Sequence, residues 1–107
     1  MNPTNLERAA RRTAERVRAS AATDISRLRD DAGLTRAELS RGSGVDSSFL
    51  ARVESGTATP SFETYALLAA ALGADLSVRL YPNTGPAIRD RHQARILEAL
   101  LAMLHPR

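Results

Sequence analysis

The sequence predicts an all-α fold that contains one short strand, and three observations support this prediction. Apolar residues recur at three-to-four spacing through most of the chain, which is the period of an α-helix. Helix start and stop signals divide that pattern into short segments. Only the stretch DLSVRLY, at 75–81, alternates apolar and polar residues in the manner of a strand.

The predicted helices follow one another with short connections. In chain order they span 4–21, 24–32, 35–41, 46–55, 61–71 and 87–104, and the strand lies before the last of them. The organisation expected from these segments is an arginine-rich helix at 1–22, a central domain at 23–74, and a strand with a C-terminal helix at 75–107.

Capping signals place most of these boundaries. Thr35 and Glu38 form a capping box, in which each side chain bonds the backbone N–H of the other residue. Asp46 is a typical N-cap for the following helix. Gly33 and Gly56 stand where glycine commonly closes a helix.

Positive charge lies in the flanks of the chain. All 15 basic residues are arginine, a usage that favours a bacterial source with a GC-rich genome. Residues 1–22 carry five Arg against two Glu, and 82–107 carry four Arg against two acidic residues, whereas 23–81 carry six Arg against eight acidic residues. A basic chain is compatible with nucleic-acid binding, although a net charge of +3 is equally compatible with a solvated surface.

Several classes of protein are not indicated. The chain has no cysteine, no apolar run of membrane-spanning length and no secretory signal, which favours the cytoplasm. Phosphate-binding and nucleophile motifs are absent, and Asp90 and His92 lie two residues apart, so they do not share a helix face. The sequence therefore predicts a protein that is not an enzyme and has no metal or cofactor.

The helices at 35–41 and 46–55, joined by a glycine-containing turn, form the pattern of a helix-turn-helix. In the second helix, Phe49, Leu50 and Val53 share the arc that faces a core. The opposite arc carries small or polar side chains and one cation. Its members are Ser47, Ser48, Ala51, Arg52 and Ser55.

That opposite arc suits a helix that enters the major groove of DNA. Short side chains allow close approach, serine can bond several base edges, and Ala51 can contact a thymine methyl group. Arg52 can bind guanine with two hydrogen bonds, an interaction that contributes about 1–3 kcal/mol of discrimination.

The segment 24–80 resembles the Xre family of phage-repressor-like helix-turn-helix domains. The matching residues are Leu28, Gly33, Leu34, Thr35, Glu38, Leu39, Gly44, Val45, Leu50, Arg52, Val53, Glu54, Gly56, Pro60, Ser61, Leu68, Ala69, Ala71, Leu72 and Gly73. The resemblance implies a lambda-repressor-like five-helix domain, here with extra N- and C-terminal helices, that binds double-stranded DNA. Ser40 and Ser43 depart from the family pattern, which usually has alanine and leucine there. The first is a small change, and the second implies a looser turn or a hydroxyl bonded to the backbone.

The resemblance also implies roles for individual residues. Arg36 takes the position that contacts a backbone phosphate, where the family commonly has glutamine. Base contacts match Ser47, Ser48 and Arg52. Backbone contacts after the helix match Ser55, Thr57 and Thr59.

Arg29 and Glu54 are predicted to form a structural ion pair. Arg29 projects close to the apolar seam of its helix, and Glu54 lies at the edge of the core-facing arc. Family members often pair an arginine with a glutamate at these positions.

The strand at 75–81 needs a partner because an isolated strand leaves its backbone groups unpaired. A second copy could supply it across a two-fold axis, with Leu76, Val78 and Leu80 in the interface. Such a homodimer predicts a palindromic operator with half-sites about 34–36 Å apart. The alternative is an extended linker without a partner.

The leading functional hypothesis is a cytoplasmic, nucleoid-associated transcriptional regulator that acts as a repressor. Two alternatives stay open: an antitoxin whose terminal helix covers a toxin or effector protein, and the DNA-targeting head of a longer protein. The arginines of 1–22 either contact phosphates or are solvated while Leu6 and Val17 pack against a neighbour, and the second reading is preferred.

Overall fold

The computed structural model describes residues 3–82, and that part of the chain is entirely helical where it is regular. The helices are α1 (Pro3–Asp31), α2 (Arg36–Ser43), α3 (Ser47–Ser55) and α4 (Phe62–Ala71). The prediction of an all-α fold is therefore confirmed for these residues. The predicted helix at 87–104 lies outside them, as do Asp90 and His92.

The predicted count of five helices in the central domain is wrong, because residues 3–82 contain four. The segments predicted as separate helices, 4–21 and 24–32, form the single helix α1 of 29 residues. Ala22 and Thr23, between those segments, include neither glycine nor proline, and the Thr23 hydroxyl donates to the Ala19 carbonyl 3.1 Å away within the helix. Asp24 therefore lies within α1 instead of beginning a separate helix, and α1 crosses the predicted domain boundary after residue 22.

The strand predicted at 75–81 is not found in the described structure. Residues 74–82 have no regular secondary structure. A strand needs a neighbour to accept and donate its backbone hydrogen bonds, and no other segment of residues 3–82 offers an extended edge. Three side chains predicted to mediate dimerisation, Leu76, Val78 and Leu80, are exposed by 43%, 62% and 98%.

The hydrophobic core forms where α1, α2, α3 and α4 meet. Leu39 of α2, Leu50 of α3 and Leu68 of α4 are at most 1% exposed. Burial of each of these side chains contributes roughly 1.5–3 kcal/mol relative to exposure. The remaining members of the core cluster are Ile25, Val45, Val53 and Ala58, with Phe49, Tyr65 and Leu72 packed at its edge.

The predicted caps of α2 and α3 are confirmed. The Thr35 hydroxyl accepts from the Glu38 backbone N–H at 3.1 Å, and the Thr35 N–H donates to the Glu38 carboxylate at 2.8 Å. This bonding lowers the pKa of Glu38, first through the Thr35 N–H and then through its hydroxyl. The Asp46 carboxylate accepts from the backbone N–H groups of Ser48 and Phe49 at 3.1 and 3.2 Å.

The turn between α2 and α3 is held by the two serines that depart from the family pattern. The Ser40 hydroxyl donates to the Val45 carbonyl. The Ser43 hydroxyl donates to the Leu39 carbonyl at 2.7 Å and accepts from the Val45 N–H at 3.2 Å. Both hydroxyls therefore bond the backbone, and together they fix the turn that sets α3 against α2.

Gly44 closes α2 in the left-handed conformation, with φ +79°, and a methyl group there would meet no atom within 4 Å. Substitution with alanine is therefore expected to lower the free energy of unfolding through backbone strain alone, by about 1–2 kcal/mol. Gly42 is the matched control, because it lies within α2 and has equally open surroundings. We expect Gly42→Ala to raise stability by about 0.5–1 kcal/mol. Urea denaturation of both variants measures this, and equal effects would contradict the role of Gly44.

Candidate nucleic-acid interface

Helix α3 presents one side to the core and the other to solvent. Leu50 and Val53 are 0% and 2% exposed, so they fix the rotation of the helix. The predicted DNA-contacting arc lies on the solvent side. Ser47, Ser48, Arg52 and Ser55 are exposed, and Ala51 is partly buried.

Arg52 extends from the middle of this surface. Its guanidinium carbon lies 5.3 Å from the centre of the Phe49 ring, within the range of a cation–π contact. Among residues 3–82 it has no carboxylate within ion-pair distance. The guanidinium donors therefore stay available to an external acceptor while the aromatic ring limits where the side chain points.

Ser48 is engaged with the cap of its own helix. Its hydroxyl donates to the same Asp46 oxygen that accepts the backbone N–H groups. The pKa of Asp46 is lowered mainly by the hydrogen bond from the Ser48 hydroxyl and next by that from the Phe49 N–H. The positive charge of Arg52 lowers it further. The hydroxyl oxygen of Ser48 still has lone pairs to accept a hydrogen bond. Ser48 is thus better placed to accept from a base than to donate to one.

The C-terminal end of α3 is closed by hydroxyl groups and glycine. The Ser55 hydroxyl donates to the Arg52 carbonyl at 3.0 Å and lies 2.9 Å from the Thr57 hydroxyl. Gly56 has φ +78°, and a methyl group there would lie 3.9 Å from the Ala19 backbone of α1. Ser55, Thr57 and Thr59 are all exposed and form a polar rim at and after the end of α3, and their predicted phosphate contacts stay predictions.

Glu54, in the last turn of α3, is the most heavily bonded side chain near the interface. The Arg29 Nε and Nη2 atoms donate to its two oxygens at 2.9 and 3.0 Å. The Ser26 hydroxyl donates to Oε1 at 3.1 Å, and the Arg36 Nε donates to the same oxygen at 3.4 Å. The structure thus brings together the predicted pair Arg29 and Glu54, and it adds two partners.

This network is largely removed from solvent, since the side chains of Glu54 and Arg29 are 3% and 14% exposed. Burial alone would raise the pKa of Glu54, but the hydrogen bonds from Arg29 and Ser26 and the charge of Arg29 outweigh it, and the pKa lies below its usual value. The Glu54 hydrogen bonds also raise the pKa of Arg29. Both groups therefore stay charged at neutral pH.

Sequence reasoning missed Ser26 and assigned Arg36 to phosphate alone. Ser26 lies one turn before Arg29 on the same side of α1, and that spacing was the available signal. Arg36 is at the first position of α2, and its side chain is 54% exposed while Nε touches Glu54. Its outer guanidinium nitrogens are thus left for a second acceptor.

An open apolar groove lies on another side of the molecule, between α1, the start of α4 and the segment after α4. Its volume is about 430 Å³. Val17 of α1, Phe62 of α4 and Val78 contribute its exposed apolar surface, at 54%, 68% and 62% exposure. Leu80, at 98%, lies in the same segment.

Among residues 3–82 there is neither a membrane-spanning helix nor a metal-binding cluster. No helix in this range is both long enough and apolar enough to span a bilayer. No group of three or more His, Cys, Asp or Glu side chains in this range is arranged to hold a metal ion.

The short helices α2 and α3, the glycine turn and the exposed polar face of α3 define a helix-turn-helix, the class of domain that binds DNA. A protein-family model described as a helix-turn-helix domain matches residues 22–80, which is more than half of the chain. The chain therefore belongs to this helix-turn-helix family. Comparisons with curated proteins and with solved structures gave no match.

We expect Arg29→Ala to lower the free energy of unfolding by about 3–5 kcal/mol, because Glu54 would keep a buried charge without its main partner. Arg27→Ala is the matched control, since Arg27 is 58% exposed on the same helix and pairs only with surface carboxylates. Such pairs contribute less than about 1 kcal/mol. Thermal and urea denaturation measure both effects. Weaker DNA binding by Arg29→Ala with an unchanged melting temperature would contradict the structural role.

Proposed function

We propose that this protein is a sequence-specific DNA-binding transcriptional regulator of the Xre type, which acts as a repressor in the form of a homodimer. The observation that carries the proposal is the exposed face of α3. It combines short polar side chains with one unpaired arginine, on a helix whose rotation is fixed by Leu50 and Val53.

Recognition in this proposal depends on Arg52. Two parallel donors of a guanidinium match the O6 and N7 acceptors of guanine in the major groove. Ser47 and Ser48 contact bases less selectively, because a hydroxyl group accepts or donates with several base edges. One well-defined guanine per half-site, with tolerant neighbouring positions, is the expected operator pattern.

Backbone contacts supply the remaining affinity. Arg36 offers its outer nitrogens to a phosphate while its Nε stays on Glu54. Ser55, Thr57 and Thr59 form the polar rim that follows α3. Because residues 23–81 carry more acidic than basic residues, binding by this part of the chain depends on local charges rather than on an overall positive field.

Dimerisation is supported by the exposed apolar groove and the segment beside it. Val78 and Leu80 expose most of their apolar surface to solvent. A contiguous apolar patch of this kind is typical of a protein interface. A second copy that covered it across a two-fold axis would give the dimer two α3 helices, and binding to successive half-sites requires them to be about 34–36 Å apart.

Repression then needs only that the dimer occupy an operator that overlaps a promoter. No enzymatic step and no cofactor is part of the proposal, and the site of action is the cytoplasm. The two alternatives, an antitoxin and a DNA-targeting head, stay predictions because no feature of residues 3–82 favours either.

Binding-site selection with the purified protein tests the reading role of Arg52. We expect the wild-type protein to select a guanine in each half-site and Arg52→Ala to lose that preference, at a cost of about 1–3 kcal/mol per half-site. Arg27→Ala removes the same charge from a side of α1 that does not face Glu54, and we expect it to keep the preference. Unchanged base selection by Arg52→Ala would refute this role.

Light scattering tests the homodimer. The chain has a mass of 11.5 kDa, so we expect a particle of about twice that mass. Leu80→Asp is expected to give the single chain, since Leu80 is 98% exposed and its replacement removes no intramolecular packing. Thr59→Asp adds the same charge at an exposed polar position that does not line the groove, and it should leave the dimer intact. A wild-type particle of 11.5 kDa at all concentrations would exclude the dimer.

A further inference from the structure

The N-terminal half of α1 projects past the packed part of the domain. Nearly all of residues 4–18 are exposed, including the apolar side chains of Leu6 at 45% and Val17 at 54%. Helix α1 approaches the end of α3 at Ala19, whose backbone lies next to Gly56. Folding of the core therefore does not explain why the helix continues over the preceding turns.

Three arginines of this projecting half lie on the side of α1 that faces α3. That side is defined by Ala19, next to Gly56, and by Ser26 and Arg29, which bind Glu54. At 100° per residue, the three arginines fall within the same arc of roughly 100°. They are Arg8, Arg11 and Arg12.

These arginines have no acidic partner among residues 3–82, whereas Arg27, Arg29 and Arg36 each contact at least one carboxylate. Glu15 is the one acidic residue of the projecting half in this arc, and no ion pair forms with it. All three side chains are exposed. The surface formed by Arg8, Arg11 and Arg12, here called the arginine stripe, thus carries unneutralised positive charge.

The arginine stripe lies on the same side of α1 as Ala19, which contacts the start of the loop that carries Thr57 and Thr59 of the polar rim. The loop that carries the rim begins at Gly56, which lies against Ala19. Arg12 and Arg8 are seven and eleven residues before Ala19, so they lie roughly 10 and 16 Å farther along the helix axis. One strand of DNA carries a phosphate about every 3.4 Å of helix axis. A duplex that ran parallel to α1 would therefore meet the stripe about three to five base pairs past the rim.

We propose that the arginine stripe is a second DNA-binding surface, which contacts backbone phosphates that flank the operator half-site. This inference rests on the proposed function, because α3 must first bring the duplex against the domain. It reads no bases. It adds affinity that depends on salt and on the length of the duplex, and it offsets the acidic excess of residues 23–81.

The test measures the salt dependence of DNA binding by the full chain, using the selected operator and an unrelated duplex. The triple variant Arg8→Gln, Arg11→Gln, Arg12→Gln keeps helix propensity, because glutamine and arginine are similar in this respect. In the homodimer, loss of three phosphate contacts in each half-site is expected to reduce the slope of log K against log salt by about 2–3 per half-site, or about 5 for the complex. Affinity should fall equally for both duplexes, and the selected guanine should be unchanged.

Single substitutions provide a matched control on the same helix. Arg12→Gln and Arg16→Gln remove one exposed charge each, but Arg16 lies at the edge of the arc, about 60° from Ala19 at 100° per residue, and lines the apolar groove. We expect Arg12→Gln to lower the slope by about 0.9 per half-site, or about 2 for the dimer, and Arg16→Gln to lower it less. Operators shortened by five base pairs at each end should bind the wild type more weakly and leave the triple variant unaffected.

The outcomes separate this inference from the proposed function. A wild-type protein that binds its operator with specificity, but whose slope is unchanged in the triple variant, would overturn the arginine stripe and leave the proposed function standing. Binding of polyglutamate that is lost in the triple variant, with an unchanged DNA slope, would assign the stripe to an acidic protein partner and overturn the inference as well. A wild type that binds no DNA would overturn both.

Discussion

The buried carboxylate of Glu54 is the interaction on which the geometry of the interface depends. It joins α3 to α1 through Arg29 and Ser26, and to the start of α2 through Arg36. A buried charge that loses its partners is strongly unfavourable. A rotation of α3 about its own axis would break these bonds and expose Leu50 at the same time. Apolar packing and the ion pair thus select the same orientation, in which Arg52 points to solvent.

Two kinds of positive charge result from this arrangement. Arg29 is committed to the fold, whereas Arg52 is free of carboxylates within residues 3–82 and is only guided by the Phe49 ring. Arg36 combines both roles, since one nitrogen touches Glu54 and the others face solvent. A phosphate bound by Arg36 would therefore act on Glu54, the same carboxylate that positions α3.

Features that depend on nearby residues could be predicted from the sequence, and features that depend on distant ones mostly could not. The capping box of Thr35 and Glu38 and the Asp46 cap are local, so residue type and spacing determine them. The contribution of Ser26 to Glu54 was missed, because it joins residues 28 positions apart and only the spacing of Ser26 from Arg29 indicated it. The continuity of α1 was missed because the apolar pattern was divided after residue 21, although neither glycine nor proline breaks the helix there. The strand prediction was wrong for another reason. Alternation at 75–81 indicates an extended segment, but a β-strand also requires a neighbouring strand to complete its backbone hydrogen bonds.

The Asp46 cap has a consequence for the choice between DNA sites. Hydrogen bonds from Ser48 and Phe49 keep this carboxylate ionised. It is exposed at the N-terminal end of α3, the end that enters the major groove of DNA in helix-turn-helix complexes. A fixed negative charge there is repelled by every phosphate backbone, whatever the sequence. Under the proposed function, a site whose bases bind Arg52 and the serines would compensate that repulsion. The residue that starts the helix would then also shorten the time that the protein spends on other DNA.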